Sequence, residues 1–446
     1  MNTPADILFI HNNFPGQFRH LAKWLTDQPG YRVFAIGSDT ATAMPRVTLQ
    51  RYSCPSNGLD HIHPYARRFE IECRRAEQVI YAANILKLSG MAPETIFVHP
   101  GWGEALPLRQ IFPNAQICVY CEFYYRTTGT DVGFDPEFGQ FGIDGLTRIA
   151  LRNATALLSL TDADVCVAPT HWQREQFPQE YRHKIRVVHD GIDTETLRPA
   201  RTTFTHQKLP APLTTGDEVL TFAARNLEPY RGFHVFMRAL PAILKARPKA
   251  QVYIVGGTGV SYGAAPSVGG TWKKAMLNEI GSHVDLSRIH FLGTLPYRQY
   301  LALLRVSRVH TYLTYPFVLS WSLLEALALE SLVVASDTAP VREVIEHGRN
   351  GILVPFFDTA ALAEQLIDAL AAPDKYRAIR REGRQTIARE YSFERCSLPV
   401  FRDILAKKAT TPALQNVFGN SARNSTAQSL RPLPTPRGTH SALQTS

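Results

Sequence analysis

The chain has 446 residues, 45% of them hydrophobic and 20% charged, and a formal net charge of +9. That length suits two domains of about 200 residues each, and the composition is that of a globular protein with sizeable cores. No apolar stretch reaches the roughly 18 residues that a membrane span needs. Six cysteines without Cys-x-x-Cys or Cys/His ligand spacing suit reduced thiols and argue against a zinc site. The first residues lack the basic and apolar segments of a signal peptide, so a soluble cytosolic protein is expected. The charge is uneven: −2 over residues 1–198, +8 over 199–408, and three arginines beyond. A basic half fits phosphate-bearing small molecules or anionic lipid. Nucleic acid is not expected, because no reader motif accompanies the charge.

In chain order, Ile7–His11 reads as a first strand and Gly16–Leu25 as a helix, with Phe18, Leu21, Ala22 and Leu25 at helical spacing. Tyr31–Ile36 is a strand, Pro64–Leu88 a long helix, and Thr95–His99, Ala115–Tyr120, Val165–Ala168 and Ile185–His189 continue the alternation. A polar, proline-containing stretch follows at residues 199–217. A second series then has strands at Val219–Ala223, Gln251–Val255, Ile289–Phe291, Val309–Leu313 and Leu332–Ala335. Helices are expected at Phe233–Ala246, Tyr297–Leu304 and Thr359–Leu370. Such alternation implies an α/β chain with two doubly wound, Rossmann-like parallel sheets and a cleft between them. The expected layout is one domain over 1–198, a second over 199–390, a crossover helix at 391–408 returning to the first, and a disordered tail over 409–446.

Several segments carry polar groups where such folds bind ligands. Gly16 lies at a strand-to-helix turn, where it either admits a ligand or merely makes the turn. His99 ends the strand at Thr95, placed to position a ligand or to satisfy backbone groups. The segment from Glu122 through Asp131 to Phe138 mixes aromatic rings and carboxylates, the groups that sugar faces and hydroxyls prefer, and is long for a plain connector; it reads either as a binding loop or as a packed surface loop. Arg225 and Arg231 share a short strand-to-helix segment and suit a diphosphate between them. The arginines at 67, 68, 74 and 75 are spaced to lie together on a helix, as are those at 377, 380, 381 and 384. A solvated face is the simplest reading of both sets.

The run Tyr315-Pro-Phe-Val-Leu-Ser320-Trp-Ser-Leu-Leu-Glu325-Ala-Leu-Ala resembles the signature of the family 4 (group 1) nucleotide-sugar-dependent glycosyltransferases. That family has the GT-B fold. Phe317 stands where its first glutamate is expected, Ser320 where glycine is, Trp321 where leucine is, and Glu325 where the second glutamate is. Ala224-Arg225…Arg231-Gly232 is similar to the family's Gly-Arg-Leu…Lys-Gly segment, and Val255-Gly-Gly-Thr-Gly259 to its strand-end glycines.

The resemblance implies a retaining hexosyltransferase that moves sugar from a nucleotide-diphosphate sugar to a glycan, lipid or small-molecule acceptor, in cell-envelope or exopolysaccharide synthesis. It needs no cofactor and no metal. By it, Arg225, Arg231 and His99 are catalytic. Gly16, Ser320, Trp321, Ser322 and Glu325 bind the donor, and Glu122 and Asp131 lie on the acceptor side. The implied location is the cytoplasm, with weak peripheral contact at the inner membrane face. Two alternatives stay open: an epimerase of the same fold and, because the first glutamate is missing, a non-catalytic sugar-nucleotide-binding protein.

Overall fold

The computed structural model describes residues 3–55, 57–139, 141–267 and 269–407. The tail expected at 409–446 lies outside the described residues. The first sheet contains β1 (Ala5–Ile10), β2 (Tyr31–Ser38), β3 (Val47–Tyr52), β4 (Pro93–Val98), β5 (Gln116–Tyr120), β6 (Val165–Ala168) and β7 (Ile185–Val187). All neighbours are parallel, in the order β3-β2-β1-β4-β5-β6-β7. The second sheet contains β8 (Val219–Asn226), β9 (Gln251–Gly257), β10 (Ile289–Gly293), β11 (Val309–Tyr312), β12 (Leu332–Ser336) and β13 (Ile352–Val354). It too is parallel, in the order β10-β9-β8-β11-β12-β13.

The strands are continuous apolar runs because helices cover both faces of each sheet. Successive residues of β1 alternate between two cores: Leu8 and Ile10 join one, Ile7 and Phe9 the other. In β12, Leu332 and Val334 face one side, Val333 and Ala335 the other. The helix Phe233–Ala246 spans the expected residues and buries Phe236, Leu240, Ile243 and Leu244 on the second sheet. The expected helix at Gly16 opens instead as a 3-10 turn, Gly16–Phe18, before Arg19–Thr26. The long helix starts at Arg67 rather than Pro64. No helix among the described residues is long and apolar enough to cross a membrane.

In each sheet the strand order reverses at the centre, between β1 and β4 and between β8 and β11. The carboxyl ends there are the binding edge of such sheets. The predicted site residues other than Asp131 lie at or just beyond a strand's carboxyl end, or on the helix that follows.

The chain crosses between the sheets near Gly191 and again near Ser392, and the two crossings are bonded together. Ile192 N–H donates to Tyr391 O at 2.8 Å, and Phe393 N–H to Ile192 O at 2.9 Å. The last helix, Leu398–Ala406, then packs Leu398, Phe401 and Ile404 into the core of the first sheet, and Asp403 pairs with Arg186 at 2.7 Å. Gly191 has φ +91°, and a Cβ there would sit 2.6 Å from the Cα of Phe393. Gly191→Ala is expected to destabilise the fold by on the order of 2–3 kcal/mol, from a strained backbone conformation and a backbone clash. Urea unfolding of the two proteins checks this.

Candidate active site between the two sheets

On the first sheet, β1, β4 and β5 deliver His11, His99 and Glu122 to one hydrogen-bonded chain. Asn13 N–H donates to His11 Nδ1 at 2.9 Å, which leaves the proton on Nε2 to face Gln17 Oε1 at 2.7 Å. Gln17 Nε2 donates to Glu122 Oε1 at 2.6 Å. From the other side, Gly101 N–H donates to His99 Nδ1 at 3.1 Å, and His99 Nε2 lies 3.2 Å from Glu122 Oε2. Burial alone would raise the Glu122 pKa. The His99 contact and the Gln17 amide outweigh it and hold the carboxylate below its usual range. Burial, then the neighbouring His99, pushes His11 down to about 3, so its ring is neutral. Gly16 belongs to this cluster for a steric reason: φ is +45°, and a Cβ would meet the His11 ring at 2.5 Å.

On the second sheet, Ser320 caps the helix Trp321–Ala328, its Oγ accepting from Ser322 N–H at 3.3 Å. Ser320 N–H donates to the Tyr312 hydroxyl at 2.8 Å. The backbone N–H groups of Ser320 and Ser322, two of the residues expected to bind the donor, are therefore engaged within the protein. Glu325 is buried in this helix and accepts from the Tyr297 hydroxyl at 2.7 Å; burial raises its pKa. Trp321 Nε1 donates to Asp190 Oδ2 at 2.8 Å, and Asp190 Oδ1 accepts from Tyr120 at 2.5 Å. The predicted donor residue Trp321 thus ties the two halves together.

Arg225 and Arg231 do not form the pair that their spacing suggested. Arg225 is exposed near the end of β8, whereas Arg231 is only 6% exposed. Arg231 Nη1 donates to Thr314 Oγ1 at 2.8 Å and Val318 O at 2.9 Å, bracing the loop after β11 from beneath. Its guanidinium lies 5.2 Å from the Tyr262 ring and 5.9 Å from that of Phe317. Phe317 is buried against Phe123, Tyr230 and Tyr262. An aromatic cluster therefore fills the place where the signature has a carboxylate.

The segment from Glu122 to Phe138 is also corrected. It is a strap bound to the second half. Asp131 accepts from the Tyr230 hydroxyl at 2.8 Å through one carboxylate oxygen. Asp135 accepts from Tyr315 at 2.8 Å and lies 3.1 Å from His234, and Glu137 pairs with Arg238 at 2.7 Å. Phe134 packs on Tyr315, Phe356 and Phe357. Among the described residues, Asp135, Glu137 and His234 are the one group spaced to hold a metal ion. Their carboxylates already serve these contacts between the halves.

Three residues escaped the sequence reading. Arg19, from the first half, sits 4.9 Å from the Trp321 ring and 5.5 Å from that of Tyr297, beside Glu325. Gln17 relays between His11 and Glu122. Buried Glu228 accepts from the N–H groups of Ser261, Tyr262 and Gly263 at 3.1–3.2 Å. The segment holding Gln17 and Arg19 reads from sequence as the start of a helix, but nothing in it marks where these side chains go.

Two facing parallel-sheet α/β domains with candidate residues on the carboxyl ends of both sheets define the GT-B architecture. The chain superposes on sucrose-phosphate synthase from Thermosynechococcus elongatus with a TM-score of 0.66 at 19% identity, covering 90% of this chain and 99% of that one. It superposes on Anabaena HepE in complex with UDP-glucose with a TM-score of 0.61 at 15% identity, covering 90% and 100%. Residues 29–197 match the glycosyl transferase family 4 group and residues 206–386 the glycosyl transferases group 1, together most of the chain. The protein belongs to the family 4, group 1 glycosyltransferases. A D-inositol 3-phosphate glycosyltransferase of Nocardia farcinica is 27% identical over 240 residues, 52% of this chain and 50% of that protein. The chain spans about half the length of the curated relatives it matches.

Two outcomes follow from this geometry. Phe317→Ala is expected to cost about 3–5 kcal/mol in unfolding free energy, as for other buried aromatics; a denaturant midpoint measures it. His11 has a folded pKa of about 3 against an ordinary 6.5. Between those values the unfolded chain binds a proton that the folded chain does not, so acidification destabilises the fold there. This residue alone accounts for about 1.4 kcal/mol per pH unit in that window. Urea unfolding across the window should give a shallower pH slope in His11→Asn than in the wild type.

Proposed function

We propose that this protein is a retaining glycosyltransferase that moves a sugar from a nucleotide-diphosphate sugar to an acceptor without a metal ion. The observation carrying this reading is the buried Glu325 on the helix capped by Ser320, with Arg19 of the opposite domain beside it. A buried carboxylate at that place suits the two hydroxyls of a ribose. Donor binding would exchange the Tyr297 hydroxyl for them. Membership of the family supports the reaction class, and the UDP-glucose bound by HepE, a protein of the same fold, supports the donor class.

When the sugar–phosphate bond breaks, negative charge grows on the leaving diphosphate. Fixed cations and N–H groups aimed at it lower the barrier. Arg225 is exposed and unencumbered for that role, and Arg19 enters it from the facing domain. Arg231 acts one step back, holding the loop that carries Phe317 and the helix N-terminus. Glu122, held ionised by the His99 contact and the Gln17 amide, is the polar group of the first domain that meets the acceptor or the transferred sugar. The aromatic wall at Phe317 offers the sugar a face rather than a hydrogen bond, so discrimination among epimeric donors is weak. Peripheral contact with an anionic membrane surface is compatible with the basic charge of residues 199–408.

Donor affinity is the direct test. Nucleotide and nucleotide-sugar binding should fall about 10- to 100-fold in Glu325→Ala, the loss of hydrogen bonds to a charged group. Glu325→Gln, which keeps the packing, separates this from misfolding. Turnover should survive a chelator, and product anomers read by NMR should match the donor. Unchanged donor affinity in both variants removes Glu325 from the site. Donor epimerised without any acceptor replaces transfer with epimerisation.

A further inference from the structure

A short helix of the first domain, His171–Gln176, is held by the second domain and itself holds the backbone of Glu122. Six residues make no stable helix alone, and the N–H groups of a first turn have no partner inside it. Here the first three are all met. Thr170 Oγ1 accepts from Gln173 N–H at 3.0 Å. Glu343, the residue that ends the helix Ala339–Arg342 after β12, supplies the rest. It accepts from His171 N–H at 2.6 Å and from Trp172 N–H at 2.7 Å, one bond to each carboxylate oxygen. Hydrogen bonds to an ionised acceptor are the strong kind, and negative charge at that end also suits the helix dipole.

The helix passes its fixed position on to Glu122. Gln173 is 1% exposed, and its side-chain amide has one orientation. Oε1 accepts from the Thr170 hydroxyl at 2.9 Å, and Nε2 donates to Glu122 O at 2.5 Å. The pairing of β5 with β6 ends where Cys121 N–H donates to Val167 O at 2.6 Å. Glu122 is the next residue, beyond the sheet, so the Gln173 amide rather than a neighbouring strand holds its carbonyl. Trp172 holds the residue after it: its ring stacks on that of Phe123 at 6.0 Å, and Phe123 meets Phe317 of the second domain at 4.7 Å. The strap's contacts fix where the two domains lie against each other. The Glu343 contact differs from them because it ends, through a buried amide, on the carboxylate residue assigned to the transfer.

We propose that Glu343 is a positioning residue for the transfer: from the second domain it seats the helix His171–Gln176, and through Gln173 and Trp172 that helix sets where Glu122 and Phe123 stand. The link to transfer rests on the role given to Glu122 above; the mechanical link itself does not. Glu343 touches no substrate. It follows the carboxyl end of β12, on the binding edge of the second sheet, so a shift of that segment is carried to Glu122 on the first. When the domains part at this contact, Glu122 loses the support behind its carbonyl.

The test uses the full chain as wild type, Glu343→Ala, Glu343→Gln, Gln173→Ala and the double variant Glu343→Ala/Gln173→Ala. Hydrogen exchange read by mass spectrometry follows residues 121–125 and 171–176. Glu343→Ala should speed exchange at least about tenfold in both segments, as for one lost charged hydrogen bond. Glu343→Gln, which keeps an acceptor oxygen, should restore most of the protection. Adding Gln173→Ala to Glu343→Ala should change residues 121–125 little further, as for two residues on one path. Loosening confined to 171–176 makes Glu343 a helix cap and nothing more, and overturns the proposal. Additive effects of the two substitutions at 121–125 overturn it as well. The second readout is turnover of UDP-glucose, the sugar nucleotide bound by HepE. In Glu343→Ala kcat should fall with KM for the donor unchanged, and Glu343→Gln should recover part of it; a change confined to KM counts against positioning. If wild type does not turn UDP-glucose over, the exchange result decides alone. If exchange responds as expected while Glu122→Gln turns over at the wild-type rate, the link stands and the role of Glu122 in transfer falls.

Discussion

The arrangement of the two domains depends on a buried carboxylate, Asp135, that belongs to the first half of the chain and is satisfied by the second. Tyr315 donates to it and His234 lies within 3.1 Å. A carboxylate this buried is costly unless its partners are in place. These partners exist only when the strap from Glu122 to Phe138 lies on the second domain. Asp131 with Tyr230 and Glu137 with Arg238 extend the same dependence along the strap. Phe134 adds an apolar anchor, so the contact joins specific polar pairing to hydrophobic burial.

The strap also explains why the aromatic cluster around Phe317 exists. Its first residues bring Phe123 to within 4.7 Å of the Phe317 ring, and Tyr230 joins both Asp131 and Phe317. Arg231 lies beneath and fixes the loop through Thr314 and Val318. The replacement of a glutamate by phenylalanine is thus matched by neighbours from both domains. A lone carboxylate among these rings would be unpartnered, so position 317 and its surroundings constrain each other.

Much of the fold was legible because it is written locally. Apolar runs such as Ile7–Ile10 and Leu332–Ala335 can only be strands buried on both faces, and Phe233–Ala246 carries its helical period in plain view. The edge strands β3 and β13 were not legible. Val47–Tyr52 is only partly buried, and Ile352–Val354 is three residues long, so neither gives a periodic signal. The candidate site divides the same way. Glu325 and Ser320 sit in a motif, and the structure brings them together on one helix start. The roles of Arg231, Trp321 and Asp131 depend on partners far off in the chain, such as Val318, Asp190 and Tyr230. Spacing carries no information about those. The arginines at 67, 68 and 75 were misread for that reason: with Arg148 and Arg152 they line one cavity, two of whose walls come from segments some thirty and eighty residues away from the helix whose charges were visible.

The paired crossings at Ile192 and Ser392 have a mechanical meaning. Two separate tethers would let one domain slide or shear over the other. Two tethers hydrogen-bonded side by side behave as the spine of a book, which leaves the covers a turning motion and little else. The side chain missing at Gly191 lets Phe393 nest against that spine, so its position is set by contact rather than by slack chain. Turning about that spine would have to release the strap's contacts with Tyr230, Tyr315 and Arg238, which lie on the far cover.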